Sequence, residues 1–133
     1  MALRWDSTVI DCRDVPAQAR WWARVLGWII VREAGEEVML GPAPITATLP
    51  GTLPWEQMGP RLVFVPVPEG KAVKNRLHLD LAPHTSDNRD AEIAKLLAMG
   101  ATRVDVGQSP TVTWDVLADP EGNEFCVLSS RET

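Results

Sequence analysis

Apolar and polar positions follow two different rhythms along this chain, and the switches between them mark its elements. The stretch "WDSTVIDC" (5–12) interleaves β-branched with polar residues, the period of a half-buried strand. Asp14 then stands where a helix cap is needed, with Pro16 in the first turn, where a missing N–H does no harm. Trp21 and Val25 are four apart, as are Trp22 and Leu26, so the helix packs one face firmly. Gly27 ends it. Strands are predicted over "WIIVRE" and, beyond the Gly35 turn, "EVMLG"; "ITATL" (45–49) and "RLVFVPV" (61–67) are further strand-like pieces. The proline-rich stretch "PGTLPWEQMGP" (50–60) reads as a loop, and Pro66 as a strand end or edge.

The second half repeats this order. "RLHLDLA" (76–82) alternates cleanly, placing Leu77, Leu79 and Leu81 on one face and Arg76, His78, Asp80 and Ala82 on the other. Asp87 is the candidate cap of a helix whose Ile93, Leu96, Leu97 and Gly100 recur at helical spacing. "TRVDV", "TVTWDVLA" and "NEFCVLS" supply three more strands, the last two joined across the turn at 119–122. Asp14 and Asp87 lie 73 positions apart, as do Gly27 and Gly100. The organising unit is therefore a βαβββ repeat, with 71–74 as its join. The fold class is α+β: two tandem modules, about 3–68 and 75–130, within one domain over 1–133. Each sheet has one face for its helix, and the other faces are expected to meet or enclose a cavity.

Composition narrows the function classes. A net charge of −5, with Lys and Arg scattered, argues against nucleic acid as a partner. No apolar run approaches the roughly 20 residues of a membrane span, and "MALRWDST" lacks the apolar core of a signal peptide. Cys12 and Cys126 read as two buried, reduced thiols in a cytoplasmic protein. Six tryptophans and no tyrosine imply bulky apolar walls. The local puzzle is Glu124, a carboxylate set among Phe125, Cys126, Val127 and Leu128, which costs free energy unless something pairs with it.

Four phrases in order, "RDVPAQARWWARVLGW", "NRLHLDL", "AEIAKLLAMGATRV" and "VLADPEGNEFCVL", resemble the vicinal oxygen chelate superfamily, the glyoxalase/bleomycin-resistance/extradiol-dioxygenase group. The turn of "DPEGNE" leading into the last strand is the most specific of them. The resemblance implies two βαβββ modules pairing their sheets into a cup, with metal ligands on the first and last strand of each module. His78 and Glu124 match those positions in the second module, and are the candidate catalytic and metal-binding residues. In the first module the matching places hold Ser7 and Val65, neither a competent ligand. Two ligands fall short of the three that a catalytic divalent metal needs, so no cofactor is expected, and a divalent metal at His78 and Glu124 is the alternative. Without a metal, Glu124 is expected to pair with His78 as an acid/base couple or as a prop for the cup floor.

Asp80 shares the facing of His78, as does Arg76; Arg61 shares that of Val65, and Trp55 is the lid candidate. With Ser7 and Val65 these complete the expected ligand-binding set. Three functions stay open. One is a small-molecule binding protein of the drug- or metabolite-binding type. Another is a metal-assisted lyase, isomerase or dioxygenase-type enzyme, though not a glyoxalase I, whose reaction relies on the full metal set. The third is a structural or regulatory module with a vestigial cup. A homodimer is the expected assembly.

Overall fold

The structure, a computed structural model, describes residues 3–42 and 59–133. The predicted "ITATL" strand, most of the proline-rich loop and Trp55 lie outside the described residues. The chain divides into two compact units, Met1–Gly70 and Lys71–Thr133, so the join falls at the head of the predicted 71–74 linker.

In the first unit, β1 (Ser7–Cys12) leads to α1 (Val15–Leu26). Asp14 caps the helix by accepting the Ala17 N–H at 3.2 Å. Gly27 ends it in the left-handed conformation, φ +65°, which a residue without Cβ adopts freely. The helix buries Val15, Ala19, Trp21 and Trp22, the two indoles meeting edge to face with centroids 5.1 Å apart. Then follow β2 (Trp28–Ala34), β3 (Glu37–Pro42) and β4 (Arg61–Pro66). The sheet order is β1-β4-β3-β2, with β1 parallel to β4 and the other pairs antiparallel. Leu40, Leu62 and Phe64 are buried at its centre, and α1 packs against β2, β3 and β4.

The second unit repeats the plan with β5 (Asp80–Leu81), α2 (Arg89–Ala98), β6 (Thr102–Arg103), β7 (Asp115–Ala118) and β8 (Glu124–Val127). Its sheet order, β5-β8-β7-β6, is that of the first unit, again with the outer parallel pair. The βαβββ repeat is thus the architecture of both halves. Three local expectations change. The cap of α2 is Asn88, not Asp87: the Asn88 side chain accepts the Ala91 N–H at 2.9 Å. The strand predicted over 76–82 shrinks to Asp80–Leu81, and Leu77 is 90% exposed instead of packed. Among the described residues this strand has one neighbour, β8; the Leu79 carbonyl still accepts the Cys126 N–H, but further upstream the Asn75 N–H goes to the Glu124 side chain. Thirdly, the run 102–106 leaves the sheet early. Val104 still donates to the Val116 carbonyl, but Val106 and Gly107 then donate to the side chains of Gln108 and Asp105.

The turn at 119–122 is held from inside. Buried Asp119 accepts the N–H groups of Glu121 and Asn123 on one carboxylate oxygen, both at 3.0 Å. Arg89, at the start of α2, donates to the carbonyls of Val127 and Leu128 and ties the helix to the end of β8. No helix among the described residues is long and apolar enough to cross a membrane.

Candidate functional site

Period two decides which residues of β8 can act. Phe125 and Val127 are buried, whereas Glu124, Cys126 and Leu128 border a cavity of about 480 Å³ in the second unit. His78 and Asp80 enter it from β5 and the segment before it, Val116 and Trp114 from β7 and its approach. The turn around Gly107, fixed by the Gln108 side chain, closes one side with Val106, and Lys74 adds a cation. The walls are thus mixed: Val106, Trp114, Val116 and Leu128 are apolar, His78, Asp80 and Glu124 make a polar edge where β5 meets β8, and Lys74 and Gln108 add further polar groups.

Three of the predicted site residues, His78, Asp80 and Glu124, border this cavity. Arg76 is exposed and is not among its walls. Ser7, Arg61 and Val65 belong to the first unit, where Ser7 faces Arg61 in the parallel register of β1 and β4, and Val65 faces Asp11. Cys126, Trp114, Gln108 and Lys74, none of them a site residue expected from the sequence, also border the cavity. The signal for Cys126 was in the sequence: it stands two residues after Glu124 and so shares its face.

The expected His78–Glu124 couple is replaced by two other arrangements. Glu124 accepts Lys71 Nζ on one carboxylate oxygen at 2.8 Å and the Asn75 N–H on the other at 3.0 Å. The Asn75 side chain also donates to the Glu124 carbonyl at 3.3 Å. Burial pushes the Glu124 carboxyl up, but the hydrogen bonds from Lys71 and Asn75 and the Lys71 charge outweigh it and hold the carboxyl below its ordinary range. His78 instead places Nδ1 3.0 Å from Asp80 Oδ1, and Cys126 Sγ lies 4.0 Å from the same nitrogen. Burial, then the charge and hydrogen bond of Asp80, push the Cys126 thiol up. A metal held by His78 and Glu124 does not fit these contacts. Such a metal would have to displace Lys71 and Asn75 from a carboxylate they already satisfy.

Residues 7–128 match the glyoxalase-like domain family. No curated protein matches the chain. Solved structures that resemble it include a glyoxalase/bleomycin resistance protein/dioxygenase family enzyme from Burkholderia phytofirmans PsJN, with TM-score 0.67, 18% identity and coverage of 97% of this chain and 100% of that one. A possible glyoxalase from Bacillus cereus gives TM-score 0.65 at 13% identity, covering 96% and 99% of the two chains. A glyoxalase-related enzyme from Fulvimarina pelagi gives 0.62 at 16%, covering 96% and 88%. At such identities the likeness is one of fold.

Proposed function

Since the chain belongs to the glyoxalase-like domain family, within the vicinal oxygen chelate superfamily, we propose that it binds a small molecule in the cavity of its second unit. The observation that carries this reading is the fate of Glu124. The carboxylate at the superfamily's ligand position is satisfied by Lys71 and Asn75, while apolar Val106, Trp114, Val116 and Leu128 stand around an open space. A cavity of about 480 Å³ is within the range of small-molecule sites, roughly 300–1,000 Å³. Trp114 offers a flat face to an apolar or aromatic body, and the His78–Asp80 pair offers a polar edge. The ligand class is a flat, largely apolar molecule with one polar end, of metabolite or drug size.

The alternative, a metal-assisted lyase or isomerase using His78 and Glu124, lacks its carboxylate for as long as Lys71 holds it. A thermal-shift and tryptophan-fluorescence screen against metabolites and antibiotics separates the two. A binder is stabilised by its ligand with or without added divalent metal, keeps that response in Glu124→Gln, and loses it in Trp114→Ala. Stabilisation that requires added metal and vanishes in Glu124→Gln sinks the binding reading and restores the enzyme.

A further inference from the structure

The parallel pairing of β5 with β8 sets Asp80 directly opposite Cys126, and His78 lies two residues upstream. Cys126 Sγ stands 4.0 Å from His78 Nδ1, and Asp80 Oδ1 stands 3.0 Å from the same nitrogen. All three residues border the cavity of the second unit. A thiol beside a base, with a carboxylate placed to stabilise the protonated base, is the arrangement of an activated sulfur nucleophile. We propose that this cavity captures its ligand covalently, Cys126 adding to the β-carbon of a flat α,β-unsaturated carbonyl compound. This rests on the cavity being a small-molecule site, and gives the ligand a chemical class.

Of the two cysteines, only Cys126 is placed for this chemistry. Cys12 is 1% exposed and turns its sulfur to the Val65 carbonyl at 3.8 Å, whereas Cys126 keeps 8% exposure on the cavity wall. A thiol adds only as its proton leaves, since the thiolate is the nucleophile. In the proposed step the Cys126 S–H bond breaks and its proton passes to His78 Nδ1, where Asp80 Oδ1 pairs with the imidazolium that results. The sulfur electron pair forms the bond to the β-carbon, and the C=C π pair moves onto the carbonyl oxygen as an enolate. The enolate then takes a proton back at its α-carbon, so nothing is oxidised or reduced and no group departs. Lys74 supplies a cation for the enolate oxygen: it borders the same cavity, and its ammonium uses one of three donors on the Asn75 carbonyl, at 3.0 Å. A conjugated enone also has the shape of the space. It is flat and apolar along its length, to lie on Trp114, and carries one polar end.

Benzylideneacetone, a flat aromatic enone, tests the capture on the full chain kept reduced. Borohydride reduction of the carbonyl locks the adduct, and intact mass with peptide mapping then reads it. Wild type is expected to carry one adduct, on Cys126, formed at least about tenfold faster than on glutathione at the same pH, since a positioned base contributes at least that much. The saturated analogue benzylacetone, which has the shape but no electrophilic carbon, should slow the labelling. Cys126→Ser should carry no adduct. His78→Gln should lower the limiting rate at least about tenfold, while Trp114→Ala should raise the enone concentration that gives half of it. Labelling of Cys126 no faster than of glutathione overturns the proposal. So does an adduct on Cys12 or a lysine in its place, a rate that benzylacetone leaves unchanged, or a His78→Gln limiting rate equal to that of wild type. Should Cys126→Ser fail to fold, peptide mapping of wild type assigns the sulfur alone. Thermal stabilisation by benzylacetone with no adduct from the enone would end covalent capture and leave reversible binding standing. Neither stabilisation nor adduct would also end the capture, and the metabolite screen would then decide the binding by itself.

Discussion

Glu124, with its side chain only 10% exposed, stays ionised because Lys71 and the Asn75 N–H each take one of its oxygens. A carboxyl held below its ordinary range adds stability that is fully present above the unfolded pKa and is lost as pH falls through the folded one. Glu124→Gln is therefore expected to cost about 1–3 kcal/mol at pH 7, the worth of hydrogen bonds to a charged group. The gap to wild type should begin to narrow below about pH 4, where an ordinary glutamate takes up its proton, and close only as pH falls through the lower folded pKa of Glu124. Urea denaturation of both proteins at pH 7 and pH 3.5 measures it, and a gap of equal size at both would show that the charge is not what stabilises. The need for a partner was legible in the sequence, since a carboxylate sat among apolar neighbours. The partner was not, because Lys71 is 53 residues away and reads there as a linker lysine.

The helix ends carry the clearest local physics. Asn88 caps α2 with its side chain, so Asn88→Ala should cost about 1 kcal/mol. Asp87→Ala should stay within about 0.5 kcal/mol of wild type. Thermal unfolding of the two variants side by side distinguishes the caps, and equal losses would contradict the assignment. At the other end, Gly100 donates to the Leu97 carbonyl and Ala101 to that of Leu96, the paired bonds of a Schellman ending. Gly100 has φ +110°, and an added Cβ would meet Pro120 Cγ at an ordinary 3.9 Å. Gly100→Ala should therefore lose about 1–3 kcal/mol through backbone strain alone, not through a clash. Both closing glycines were legible as punctuation, and a one-residue ambiguity between Asp87 and Asn88 is what two adjacent cap-forming residues leave. The shortness of β5 was not legible, because alternation measures the two faces of a strand and says nothing of whether a neighbour continues beside it.

Across the whole molecule, two units, with Cys12 of one and Cys126 of the other both free thiols, share one strand order, each with a parallel outer pair. Their centres hold fully buried aromatic residues, Phe64 on β4 and Phe125 on β8. Truncating either to Ala should cost about 3–5 kcal/mol by lost transfer energy and the cavity left behind. Denaturant unfolding measures both, and a loss under 1 kcal/mol at either position would show that its unit does not rely on that core. The sequence by itself determined the repeat, the element order and the faces of the strands, because periodicity, caps and turn residues act within a few positions of one another. It also brought His78, Asp80 and Glu124 into view, the first two by the polar rhythm of their strand and Glu124 as a carboxylate among apolar neighbours. Only the tertiary structure decided who pairs with whom. It gave Glu124 to Lys71 and Asn75, and set Cys126 beside His78 and Asp80. Those choices rest on the register between β5 and β8, strands more than 40 residues apart, and register is set by packing and backbone bonding across the sheet, which no local pattern encodes.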